Sequence, residues 1–110
     1  LAISLLEYHV LLALAEGARH GYVIAERVAD ESGGALRPRA GSLYRVIARL
    51  LAEGLLTEHD APEDEPHPGL ARRYYALTPA GRRTLAEETA RLKRAALLGE
   101  KRLGLHEGRP

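Results

Sequence analysis

A chain of 110 residues, 45% hydrophobic and 28% charged, fits one compact domain and leaves no room for a second core. Cysteine is absent, which excludes disulfides, cysteine-ligated zinc and thiol nucleophiles, and no apolar run approaches the ~20 residues of a membrane span. The net charge of +1 conceals an uneven distribution: residues 1–57 carry six basic and six acidic side chains, residues 58–68 five acidic and no Lys or Arg, and residues 69–110 ten basic against four acidic. Fourteen of the sixteen basic residues are Arg, whose planar fork suits phosphate and guanine, although an Arg-rich genome gives the same bias. The expected location is the cytoplasm, and neither cofactor nor metal is expected. A domain this small buries only roughly 60–70% of its unfolded surface, so further burial in an oligomer would stabilise it.

Residues 3–16 read as a first helix, with Ser4 and Glu7 at capping-box spacing and Gly17 just past the end. Leu5, Leu6, Val10, Leu11, Leu12 and Leu14 cover more than one stripe, so the helix needs burial on two sides, the second expected from another subunit. His20-Gly21-Tyr22 opens a second helix running to about Ser32, with Ile24, Ala25, Val28 and Ala29 as its apolar stripe and Gly33-Gly34 as its stop. Leu36 to Arg39 is an extended connector, because Pro38 biases Arg37 away from helix. A third helix covers about Gly41 to Glu53. Leu43, Val46, Ile47, Leu50 and Leu51 form its inner face; Arg45, Ala48, Arg49 and Ala52 lie opposite, flanked by Ser42 and Tyr44. That outer face is short-sided and cationic, which suits a groove lined with phosphates.

Leu55 to about His59 and Ala71 to Leu77 read as two strands. Asp60 to Leu70, with three prolines and the acidic cluster, forms the tip of the hairpin between them. Tyr75 and Leu77 share a parity that faces the core, which leaves Arg72 the freer of the two wing arginines. Thr78 and Pro79 then start a last helix that reaches at least Leu98, or Leu103 if it passes Gly99. Leu85, Thr89, Leu92, Ala96, Gly99 and Leu103 give it a heptad-like seam rich in small residues, which allows close helix approach or leaves space for a ligand. The fold class is mainly α with a small β-hairpin. Residues 1–77 are expected to form a winged helix-turn-helix, its wing at about 55–77, and residues 78–110 a C-terminal dimerisation helix and tail.

The chain resembles the PadR-type transcriptional regulators, in their short form with one C-terminal helix. The resemblance rests on Ala15-Glu16-Gly17 leading to His20-Gly21-Tyr22, on Ser32-Gly33-Gly34, and on Gly41-Ser42-Leu43-Tyr44-Arg45. It continues through Arg49-Leu50, Glu53-Gly54-Leu55-Leu56 and Arg72-Arg73-Tyr74-Tyr75-Ala76-Leu77-Thr78-Pro79-Ala80-Gly81-Arg82. Ala40 departs from the proline usual before the Gly-Ser/Thr-Leu-Tyr stretch, and the wing tip is unusually acidic. The resemblance implies a repressor whose third helix enters the major groove of double-stranded DNA at a pseudo-palindromic operator. It also implies a homodimer formed by the first and last helices, and release by a small planar aromatic effector.

Candidate DNA contacts are His20, Tyr22, Arg37, Arg39, Ser42, Tyr44, Arg45, Arg49, Arg72 and Arg73. Candidate dimer contacts are Leu5, Tyr8, Leu12, Leu85, Leu92, Ala96 and Leu103. Each has a plainer reading. Arg45 and Arg49 suit a solvated helix face, Tyr44 a core flank, His20 the closure of a turn, and Arg72 with Arg73 a solubility device. The cluster of His59, Asp60, Glu63, Asp64, Glu65 and His67 has metal-ligand residue types, but its prolines and irregular spacing favour a solvated tip. Enzyme chemistry lacks its parts: there is no HExxH helix, no Gly-rich phosphate loop and no paired carboxylate on a rigid element. The alternatives to a DNA-binding regulator are a winged helix used for protein–protein contact and a metal-sensing regulator.

Overall fold

In a computed structural model that describes residues 2–60 and 73–105, four helices and three strands follow in the order α1 (Leu5–Ala13), β1 (Arg19–His20), α2 (Gly21–Glu31), α3 (Ala40–Ala52), β2 (Leu56–Asp60), β3 (Arg73–Leu77) and α4 (Pro79–Leu103). The capping box forms as expected: Glu7 N–H donates to Ser4 Oγ at 3.1 Å, and Ser4 N–H donates to Glu7 Oε1 at 2.7 Å. α1 is shorter than the expected 3–16. Beyond Ala13 the chain tightens into i→i+3 bonds, Leu14 N–H to Leu11 O and Ala15 N–H to Leu12 O, both 3.1 Å. Gly17 follows that turn in a backbone conformation (φ 149°) that favours glycine.

β1 is an element the sequence did not announce. Arg19 pairs with Tyr75 and His20 with Tyr74, so β1 and β2 flank β3 in a three-stranded antiparallel sheet of order β1-β3-β2. Leu56 pairs with Leu77 and Asp60 with Arg73 at the two ends of the β2–β3 hairpin. Most of the acidic tip, and Ala71 and Arg72, lie outside the described residues.

Alternation along β3 sends the Tyr75 ring into the core, where desolvation first and the Glu58 carboxylate second push its phenol up to about 12. Around it pack Val10, Leu11 and Leu14 of the α1 region, Ile24 and Val28 of α2, and Leu43, Ile47 and Leu50 of α3. α2 and α3 thus bury the stripes expected of them. Burying each such aliphatic side chain contributes about 1.5–3 kcal/mol.

α4 begins as expected, with Thr78 as cap and Pro79 at the first position; Gly81 N–H donates to Thr78 Oγ1 at 2.9 Å. It runs unbroken past Gly99 and ends at Gly104, which takes the left-handed conformation of a C-terminal stop. Only its first turns are tied to the core, through Gly81, Leu85 and Glu88. Leu85, 7% exposed, packs in the core of its own subunit. Leu5, Leu92, Ala96 and Leu103 are exposed, and Tyr8 and Leu12 are half-buried. No helix among the described residues is long and apolar enough to cross a membrane.

Candidate nucleic-acid interface

The connection between α2 and α3 sets the posture of everything on α3. Ser32 organises it: its Oγ accepts from Leu36 N–H at 3.0 Å and donates to Ala29 O at 3.2 Å. Gly33 and Gly34 turn the chain with positive φ, and Gly34 N–H closes on Ala29 O at 2.8 Å. The Arg37 guanidinium lies over Gly34, where a Cβ would sit 3.0 Å from its Nη2. Arg37 and Arg39 are both exposed, and Arg39 caps α3 with its backbone alone. The α3 N-terminus therefore opens toward solvent beside two guanidinium-bearing residues. With Leu6, Leu36, Pro38 and Ser42, they line a shallow cavity of about 330 Å³.

Along the outer face of α3, Arg45 is exposed, touches Ser42 Oγ at 3.4 Å and has no ion pair among the described residues. Ala48 and Ala52 keep the face low around it. Tyr22 and Tyr44 stand out at 41% and 45% exposure. This brings Arg37, Arg39, Ser42, Tyr44 and Arg45 into one region on and beside α3.

Three other candidates are placed differently. His20 is 5% exposed, stacked on Tyr22 at 5.5 Å and packed against Tyr74 at 4.1 Å between ring centroids. Its ring joins the sheet to α2 and is withdrawn from the surface where a phosphate would meet it. Arg49 does not simply face solvent: its Nε lies 3.2 Å from Oε2 of Glu7, a buried carboxylate on α1. Arg73 is bound across the hairpin to Glu58, at 2.6 Å, and to Asp60, and its charge is largely spent there. The hydrogen bond to Glu58 raises the Arg73 pKa further above its already high ordinary value. Arg72 lies outside the described residues. Glu7 is the residue that sequence reasoning missed. Its capping role was visible, but its second oxygen finds α3 only in the folded chain. Among the described residues no group of three or more His, Asp or Glu could hold a metal ion.

A helix-turn-helix made of α2 and α3, packed on α1 and flanked by the β2–β3 hairpin, defines a winged helix-turn-helix. Residues 10–87 match the Transcriptional regulator PadR-like family, and the chain belongs to that family. The transcriptional regulator Rv3488 of Mycobacterium tuberculosis is 35% identical over 88 residues, covering 80% of this chain and 76% of that protein. An uncharacterized 37.1 kDa protein in transposon TN4556 of Streptomyces fradiae is 41% identical over 85 residues. That match covers 77% of this chain but spans only 22% of the Streptomyces protein. Bacillus subtilis PadR, solved in complex with operator DNA, superposes with a TM-score of 0.66 at 23% identity, over 78% of this chain and 47% of that one. That likeness speaks for the fold.

Proposed function

We propose that this chain is a sequence-specific DNA-binding repressor that acts as a homodimer, with α3 in the major groove and the β2–β3 hairpin as its wing. The observation that carries the reading is the outer face of α3, where Arg45 stands exposed among short side chains and is paired with no acid among the described residues. An arginine so placed can fork onto guanine or phosphate oxygens. Arg37, Arg39 and the open α3 N-terminus would hold the flanking backbone, since exposed helix N–H groups attract phosphate. Bacillus subtilis PadR, a protein of the same fold, was solved in complex with operator DNA, which supports DNA as the partner.

Binding is expected to weaken steeply with salt, because each phosphate neutralised releases counterions. Two copies of α3 related by a two-fold axis should read half-sites about 34 Å apart. Arg45→Ala should cost about 1–3 kcal/mol if the residue reads a base, and should relax preference at that base pair. Fluorescence anisotropy over a salt series with matched and mismatched duplexes checks both. Affinity that ignores salt and the loss of Arg45 would point instead to a protein partner.

Release by a planar aromatic effector belongs to the same proposal. Half-buried Tyr8 bonds Thr89 Oγ1 at 2.9 Å, so a ligand wedged beside it would bear on α1 and α4 together. Only a difference in ligand affinity between the DNA-competent and incompetent forms can shift the balance. A coupling of about 1–3 kcal/mol would weaken operator binding about 5–150-fold. Titration with planar aromatic compounds, comparing wild type with Tyr8→Ala, is the check. Compounds that bind without changing DNA affinity would show that their site plays no part in release.

A further inference from the structure

Glu7 is an unusual residue to find beside a surface read as DNA-binding. An acid near a polyanion opposes binding through its charge. Yet this carboxylate is 4% exposed and faces α3. Its two oxygens have different partners. Oε1 accepts Ser4 N–H at 2.7 Å and completes the cap of α1, which the uncharged amide of a glutamine could do equally well. Oε2 lies 3.2 Å from Nε of Arg49. That second contact requires the charge.

The contact is an ion pair made at the inner end of the guanidinium. Nε is the inner nitrogen of the guanidinium, and an arginine offers five N–H donors in a fixed plane. Paired with a buried carboxylate, the Arg49 side chain is restrained while 61% of it stays exposed. Arg49 lies one helical turn beyond Arg45 on the outer side of α3. Among the described residues, a 3.4 Å contact to Ser42 is what steadies Arg45. An arginine already restricted loses less freedom on meeting a phosphate or a base edge, and preorganisation of this kind raises affinity.

We propose that Glu7 is a positioning residue for DNA recognition: from α1 its buried carboxylate pairs with Arg49 and restrains that guanidinium on the outer side of α3, where it can meet DNA. The proposal rests on the DNA-binding reading and adds to it a residue that touches no DNA. It gives the recognition helix one fixed and one free arginine. It also ties their presentation to α1, the helix whose next residue, Tyr8, bonds α4.

The test uses the full chain and a duplex enriched by the wild-type protein from a random-sequence library. Glu7→Gln keeps the volume and the cap of α1 but removes the charge that faces Nε. It should weaken binding to the enriched duplex about fivefold or more, with the thermal midpoint nearly unchanged. Adding Arg49→Ala to Glu7→Gln should cost nothing beyond Arg49→Ala alone. A simple electrostatic role predicts the opposite sign, since deleting an acid near DNA tightens binding to every sequence alike. Arg49→Lys, at a surface position that leaves the core untouched, is the second variant. Lysine carries the charge but has no separate inner nitrogen for Glu7, so binding should fall nearly as far as with Arg49→Ala. Unchanged or tighter binding by Glu7→Gln, additive losses in the double variant, or wild-type affinity with Arg49→Lys would each overturn the proposal. Arg45→Ala, measured in parallel, reports separately on whether α3 meets DNA at all. If no duplex is enriched, the DNA-binding reading fails and this proposal falls with it.

Discussion

Replacing Gly81 by alanine should lower the thermal midpoint by about 10–20 °C at fixed protein concentration, the equivalent of about 3 kcal/mol in a domain of this size. A Cβ on Gly81 would lie 2.1 Å from the carbonyl oxygen of Leu55 and 3.0 Å from its carbon. That oxygen cannot turn aside: it accepts Thr78 N–H at 3.1 Å, while Thr78 Oγ1 donates to Gly54 O at 2.7 Å. The first turn of α4 is thus clamped onto the start of the hairpin, and Leu55 is itself buried in the core. Relief requires α4 to shift, which drags Leu85 out of place. Overpacking of a core costs about 1–3 kcal/mol, and a clash against backbone belongs at the upper end. Gly41→Ala is the control, since the same methyl in the first turn of α3 meets nothing nearer than Arg45 Nη1 at 3.9 Å. It should be neutral or stabilise by up to about 1 kcal/mol through helix propensity. Calorimetry on the pair separates close approach from loss of glycine as such; equal midpoints would refute the clash.

The same contrast marks what could be read before the structure was known. Ser4 with Glu7, and Thr78 with Pro79, announced helix starts because cap and partner lie within three residues of each other. The inner stripes of α2 and α3 were legible because burial follows the helical period. β1 was not. Two residues carry no period, and Arg19–His20 is a strand only because Tyr74 and Tyr75 pair with it from across the fold. His20 therefore read only as the opening of a helix, which it is as the N-cap of α2, and not as the packed ring at a sheet edge that it also is. The arginines divide along the same line. Arg37, Arg39 and Arg45 are exposed as expected, since a connector and an outer helix face expose whatever they carry. Arg49 and Arg73 are held by Glu7, Glu58 and Asp60, acids on other elements whose approach no local pattern encodes. Leu85 fitted a seven-residue seam and a core position equally well, because the stripe that enters the core is the one that continues beyond it.

That continuity underlies the second large effect, the loss of dimer and operator affinity when the far part of α4 is removed. A helix of 25 residues is about 37 Å long, more than a three-helix core can cover. The stripe that seats Gly81, Leu85 and Glu88 runs on at the same spacing as Leu92, Ala96, Gly99 and Leu103, with Leu103 at 73% exposure. Leu97 and Leu98 add 54% and 42% exposed surface nearby, and Leu5 of α1 is 54% exposed. A second copy is the occupant we propose for this stripe. A chain ending at Arg91 keeps Leu85, the Tyr8–Thr89 bond and the Glu88–Arg91 pair at 2.7 Å, so the core should remain folded. Sedimentation should then show a folded monomer, and the intact chain should run as a dimer. Affinity for a duplex with two half-sites should fall about 100-fold or more, because the second α3 no longer arrives at high effective concentration. Affinity for a single half-site should barely change. Leu92→Glu with Leu103→Glu should reproduce the result in the full-length chain, since two carboxylates buried across a seam without partners disfavour association. An intact dimer in either variant would mean that the subunits meet elsewhere and that the exposed leucines of α4 serve another purpose.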